Sequence, residues 1–130
     1  MKERIALFDT SALMLYIEGI DPIGQVESMG LKCAVLDKVI KELERLSKET
    51  GKRGRAARLA LSIAKSKCII IKYLGDKKHT DDAIVEVALE RGIPVVTADR
   101  GLRRRLLRKV PTIYYRESQR RFLSEDYFDL

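Results

Sequence analysis

The chain of 130 residues contains no Asn, two Gln (Gln25, Gln119), one His and two Cys. A lone imidazole, His79, supplies neither the His- and thiolate-rich donor set of a zinc centre nor the base of a Ser/His/Asp triad that the rest of the chain completes. Covalent nucleophilic catalysis is therefore set aside, and His79 reads as loop surface or a substrate contact. Cys33 and Cys68 stand in apolar runs rather than in a CxxC or Cys/His cluster, so the expectation is two buried free thiols. No apolar run approaches the ~20 residues of a membrane span, and the N-terminus lacks the charged, apolar and small-residue succession of a secretion signal. The expectation is a cytoplasmic protein with no membrane partner. Repeats, low-complexity tracts and glycine-rich phosphate loops are also missing. The stretch Gly51-Lys52-Arg53-Gly54 lacks the Walker spacing and follows no apolar strand, which excludes nucleotide hydrolysis of that type. Scarce amides beside abundant Lys, Arg and Glu suit growth at high temperature.

What is present is charge on a core-forming background. Hydrophobic residues make up 45% and charged residues 35%, and the net charge is +7 with a pI near 9.5. That sign favours a polyanionic partner. The length fits one domain spanning 1–130. Apolar runs at Ile5–Phe8, Cys33–Leu36, Cys68–Tyr73, Pro94–Thr97 and Thr112–Tyr115 predict five strands. Between them, Ser11–Glu18, Lys38–Lys48, Arg53–Lys65, Asp81–Arg91 and Gly101–Arg108 read as helices, with loops at Gly51–Gly54 and Leu74–Thr80. The alternation predicts an α/β fold of three layers, α/β/α, around a central parallel five-stranded sheet.

In such a sheet, ligands bind beyond the carboxyl ends of the strands. Asp9 follows Ile5–Phe8 directly, and Asp99 follows Val95-Val96-Thr97-Ala98, so parallel strands bring both to one edge. Each has two readings: a helix N-cap satisfying free amides, or a functional carboxylate. Asp81 and Asp82 also open a helix, where Thr80 can serve as the cap and leaves an acid to spare. At about 100° per residue, Glu42 lies at the border of the Val39, Leu43, Leu46 stripe, whereas Glu44 points outward. The same geometry aligns Asp81 with Ile84 and Ala88, and sends Asp82 to the far side with Val85 and Leu89. Carboxylates converging at one edge repel unless a cation neutralises them. Mg²⁺ or Mn²⁺ suits an all-oxygen set and keeps positions open for water, the nucleophile. Ser11, Thr97 and Asp82 are candidates for orienting these acids.

Arg103, Arg104, Arg105, Arg108 and Lys109 crowd the stretch after Asp99, and Lys52, Arg53, Arg55 and Arg58 begin another helix. They read either as solvated surface or as phosphate contacts, of which Arg53, Arg55, Arg103, Arg104 and Arg105 are the RNA-binding candidates. Tyr73, Tyr114 and Tyr115 have strand placement that favours packing, with base stacking as the alternative.

The segments Phe8-Asp9-Thr10-Ser11-Ala12-Leu13, Val39-Ile40-Lys41-Glu42-Leu43, Asp81-Asp82-Ala83-Ile84 and Thr97-Ala98-Asp99-Arg100-Gly101-Leu102 resemble, in order and spacing, the PIN-domain family of metal-dependent ribonucleases. The likeness spans nearly the whole chain; each motif is short, and the four together carry it. It implies catalytic and metal-binding roles for Asp9, Glu42, Asp81 and Asp99, Mg²⁺ or Mn²⁺ as cofactor, and RNA, single-stranded or ribosomal, as substrate. It also implies hydrolysis to 5′-phosphate and 3′-hydroxyl ends. Asp81 is preferred to Asp82 because the family's Ala seven residues on falls at Ala88. Two functional branches are open. Asp99–Leu106, Lys109-Val110-Pro111 and the basic segment Gly51–Ala64 look closer to the archaeal and eukaryotic ribosomal RNA-processing branch, though Ser11 stands where that branch usually has Asn and no zinc ribbon is present. The alternatives are a VapC-like toxin, which implies a homodimer and an antitoxin partner, and a non-catalytic RNA-binding or assembly module.

Overall fold

A computed structural model describes residues 4–125. Six strands, β1 (Ile5–Phe8), β2 (Lys32–Leu36), β3 (Ile69–Ile71), β4 (Val95–Thr97), β5 (Thr112–Arg116) and β6 (Arg121–Ser124), form one sheet in the order β3-β2-β1-β4-β5-β6. The first five are parallel, and β6 runs antiparallel to β5. The helices are α1 (Thr10–Leu13), α2 (Pro22–Glu27), α3 (Asp37–Leu46), α4 (Gly51–Lys67), α5 (Thr80–Arg91) and α6 (Arg100–Leu106), and they pack around the sheet in a three-layer α/β arrangement. The central strands read as continuous apolar runs because both of their faces are covered: Ala6, Leu7, Phe8, Val95 and Val96 are fully buried.

The expected five-stranded sheet is thus corrected to six. β6 is short and opens on Arg121, and only Phe122 of its residues is buried, so its apolar signal is weak. It is built by a turn over Glu117–Gln119 that places Tyr115 opposite Phe122, with ring centroids 5.3 Å apart. α2 was also not foreseen; Asp21 caps it by accepting from Gly24 N at 3.0 Å, and Pro22 opens it. The helix expected over Ser11–Glu18 splits into α1 and a 3₁₀ segment, Met14–Glu18, ended by Gly19 at φ 81°. Gly51–Gly54, expected as a loop, is the first turn of α4. Gly51 turns the chain at φ 80°, and a Cβ on Gly54 would meet the Glu49 carbonyl oxygen, so the two glycines permit the tight α3–α4 connection. The buried face of α4 is then nearly all Ala: Ala56, Ala57, Ala60 and Ala64.

The two cysteines form a disulfide, which overturns the reading of free thiols. Sequence spacing conceals the reason and register reveals it. β2 and β3 pair with Ala34 opposite Ile69, so Cys33 and Cys68, each one residue earlier, face one another with Cα atoms 4.7 Å apart. No described helix is long and apolar enough to cross a membrane.

Strand order sets the position of the site. From β1 the chain proceeds outward through β2 and β3, then returns to β4 on the other side of β1 and proceeds outward through β5. The seam between β1 and β4 is the topological switch point, where a crevice opens at the carboxyl ends of an α/β sheet.

Candidate metal centre at the carboxyl edge

Register across the seam brings Phe8 opposite Val96, so Asp9 and Thr97 arrive side by side. Asp9 is buried, 2% exposed, and its carboxylate is held by a dense set of donors. Ala12 N donates to Oδ1 at 2.8 Å, which makes Asp9 the N-cap of α1. Ser11 Oγ lies 2.8 and 2.9 Å from the two oxygens, and Thr97 Oγ1 donates to Oδ2 at 2.5 Å. Both hydroxyls also accept from backbone at the end of β4: Ser11 Oγ from Ala98 N at 3.0 Å, across the seam, and Thr97 Oγ1 from Asp99 N at 2.9 Å, within its own strand end. The two side chains therefore lace the end of β1 to the end of β4 and fix the carboxylate between them. Burial nevertheless dominates these donors and pushes the Asp9 carboxyl up to about 7, with the nearby Asp81 charge adding to the rise.

Asp81 is the meeting point of the other acids. It sits half-buried in the first turn of α5, and its carboxyl is raised above the usual carboxylate range, first by burial and then by the charges of Asp99 and Glu42. Arg105 opposes that rise and Asp82 adds to it. Glu42 projects from the border of the buried face of α3 and accepts a short hydrogen bond from Thr10 Oγ1, immediately after Asp9 in the chain. Asp99 caps α6 by accepting from Leu102 N at 2.9 Å through Oδ1. The cap reading of Asp9 and Asp99 thus holds, and it does not exclude a second role, because the charge of Asp81 reaches Asp9 and that of Asp99 reaches Asp81.

The two neighbouring aspartates of α5 diverge. Asp82 forms an ion pair with Arg105 at 2.7 Å, whereas Asp9, Glu42, Asp81 and Asp99 have no ion pair among the described residues. The expected Thr80 cap is corrected: His79 occupies the N-cap position without a side-chain bond, and Thr80 is the first helical residue. No three His, Cys, Asp or Glu side chains among the described residues close on one point. Asp9 and Asp81, whose carboxyls are raised, together with Glu42 and Asp99 make an all-oxygen set that forms no ion pair among the described residues, and it nonetheless fits a hard divalent ion that takes one or two carboxylates directly and fills its remaining positions with water.

The basic residues do not act alike. Arg103 Nε donates to Glu125 Oε1 at 2.7 Å, and its guanidinium carbon lies 3.4 Å from the Tyr114 ring centroid. Arg105 is engaged by Asp82, and Arg53 lies 3.9 Å from Glu49 one turn earlier. Arg55 and Arg104 are exposed. Sequence reasoning passed over a second basic group: Lys38, Lys41, Arg45 and Lys78 line a cavity of about 400 Å³ that shares Glu42, His79 and Thr80 with the acid-lined cleft beside it. Its signal was the spacing of Lys38, Lys41 and Arg45 along the exposed side of α3. Thr10 was missed as well, although its place after Asp9 was the available clue.

An α/β sheet with acids along the carboxyl edge of its switch point carries its polar cleft where sheets of this class bind ligands. The chain belongs to the PIN like domain family, whose match covers residues 6–118. It is similar to ribonuclease VapC9 of Archaeoglobus fulgidus, 29% identical over 126 residues, covering 94% of this chain and 90% of that protein. In three dimensions it resembles the PIN domain endonuclease Utp24, with a TM-score of 0.75 at 22% identity over 92% of this chain and 90% of the other.

Proposed function

We propose that this protein is a metal-dependent endoribonuclease whose metal is held by Asp9, Glu42, Asp81 and Asp99. The observation that carries the reading is Asp81: a half-buried carboxylate beside Asp99 and Glu42, and near Asp9, whose carboxyl stays raised although Arg105 opposes the rise. Asp9, Glu42, Asp81 and Asp99 would hold Mg²⁺ or Mn²⁺ there, and the ion would supply Lewis acidity toward the phosphate and a more acidic bound water.

The chain's own groups set that chemistry up. Ser11 and Thr97 hold the Asp9 carboxylate in one orientation, and Thr10 does the same for Glu42. Asp82 steers Arg105 to the border of the acidic cleft, where its positive charge faces an incoming phosphate. Lys38, Lys41, Arg45 and Lys78 line one flank of the acids, and Arg100 and Arg116 line the other. An RNA strand lying across the carboxyl edge therefore meets cations on both sides and the acids in the middle. Hydrolysis by activated water leaves the ribose 2′-hydroxyl uninvolved, so preference for RNA is set by binding contacts. The likeness to ribonuclease VapC9 supports RNA as substrate and keeps the toxin reading in play, while the resemblance of Asp99–Leu106 and Lys109-Val110-Pro111 to the ribosomal RNA-processing branch favours processing. An antitoxin partner and a homodimer belong to the toxin reading.

The test is cleavage of unstructured RNA by the purified chain. Mg²⁺ or Mn²⁺ is expected to sustain cleavage, and chelator to abolish it. RNA binding without cleavage in either metal would favour the assembly-module reading.

A further inference from the structure

Beyond Asp99, on the side away from Glu42, the structure contains a cavity of about 650 Å³ lined by Asp99, Arg100, Arg103, Tyr114, Arg116 and Ser118 among others. That volume lies within the roughly 300–1,000 Å³ of sites that enclose small ligands. Arg103 differs from the other described arginines in being held by a carboxylate and an aromatic ring together. Its Nε is bound to Glu125, whose side chain is 14% exposed, and one face of its guanidinium lies on the Tyr114 ring. Its charge is already matched by that carboxylate, yet the side chain remains 37% exposed. A planar group held at Nε, laid against a ring and still partly exposed is well suited to stacking. Arg100 and Arg116 border the same cavity and form no ion pair among the described residues.

We infer that this cavity binds the nucleotide adjoining the scissile phosphate: its base stacks on the Arg103 guanidinium, which Tyr114 and Glu125 hold in place, while Arg100 and Arg116 take its phosphates. The inference rests on the endoribonuclease reading, since Asp99 joins the cavity to the acids. It changes the part played by Arg103 from a phosphate contact to a determinant of base recognition.

The test separates base from backbone. Binding of the metal-stripped full chain to a single-stranded RNA octamer, and to the same octamer with every base replaced by abasic ribose, is measured in chelator by fluorescence anisotropy. Wild type is expected to bind the base-containing octamer about tenfold more tightly, the scale of one base–arginine or base–aromatic stack. Arg103→Lys keeps the charge opposite Glu125 and removes the plane. It is expected to reduce that ratio to near one while leaving abasic binding within about twofold of wild type, on the backbone-contact argument. A Lys variant that retains the full ratio overturns the proposal, and so does one that weakens both octamers equally, or a wild type that binds neither. Cleavage in Mn²⁺ is scored separately. Base-dependent binding lost in Arg103→Lys without any cleavage would leave the stacking site standing and remove the nuclease reading. Cleavage with an unchanged ratio would do the reverse.

Discussion

At the β1–β4 seam the protein buries a carboxylate and surrounds it with further acids, while at the β2–β3 edge it joins two strands by a covalent bond. The first region works against the fold. Asp9 is held near neutrality by burial, and Asp81 is pushed in the same direction by its neighbours. The second region works for it: a disulfide across 35 residues restricts the unfolded chain and ties edge strand β3, whose Ile69 and Ile70 are exposed, to the buried strand beside it. The difference separates stability from purpose. Strain confined to the seam, in a chain stabilised elsewhere, marks where a ligand is meant to supply what the protein withholds.

The largest expected effect breaks the seam itself. Asp81→Asn removes one charge with almost no change in shape, and turnover of RNA is expected to fall by about three orders of magnitude or more, as expected where an essential metal ligand is lost. Asp82→Asn, which loses only the pair with Arg105, is expected to retain turnover within about tenfold, the lower bound of outer-shell effects. Rates measured at saturating Mn²⁺ and Mg²⁺ distinguish lost chemistry from weakened metal affinity. A dead Asp82 variant beside an active Asp81 variant would reverse the assignment.

Removing the staple tests the other region. Cys33→Ala with Cys68→Ala is expected to cost about 3–4 kcal/mol by the loop-closure relation for a loop of this length. Chemical denaturation of both forms measures it, and Mn²⁺-dependent cleavage by the folded variant is expected to stay close to wild type. A large loss of cleavage in the folded variant would mean that the two regions are coupled.

An effect of comparable size and opposite sign is expected from Asp9→Asn in chelator. The folded carboxyl stands at about 7, above its ordinary value of 3.8, so the folded state binds the proton more tightly than the unfolded chain. Stability from this group is therefore present in full below pH 3.8 and declines as pH rises towards 7, by up to about 4 kcal/mol at 1.36 kcal/mol per unit. Asn cannot ionise, so the variant is expected to melt several degrees higher than wild type at pH 8 and to converge with it near pH 4. Equal melting temperatures at pH 8 would show that the seam is not strained.

Much of this was legible in the chain, and the parts that were not share a cause. Ile5–Phe8 and the parallel sheet followed from apolar runs, because strands buried on both faces carry an unbroken signal. Glu42 was located at a helix border by periodicity alone, and its half-buried position agrees with that geometry. The disulfide, β6 and the pairing of Arg105 with Asp82 all depend on contacts between segments distant in sequence. Cys33 meets Cys68 only through strand register, β6 gains its place only by pairing with β5, and Arg105 meets Asp82 only because α5 and α6 pack together. Local pattern contains no record of such meetings. The roles assigned to the four acids remain proposals that rest on their convergence.

The most direct test is calorimetric titration of Mn²⁺ into the metal-stripped protein in buffers between pH 5.5 and 8.5. Wild type is expected to bind one or two ions per chain, with proton release and an affinity that rises about tenfold per pH unit below 7 before levelling, because Asp9 must lose its proton to act as a ligand. Asp81→Asn is expected to bind weakly and Asp82→Asn to match wild type. Equal binding by the two variants, or no binding by wild type at pH 8, would contradict a metal centre built on Asp9, Glu42, Asp81 and Asp99.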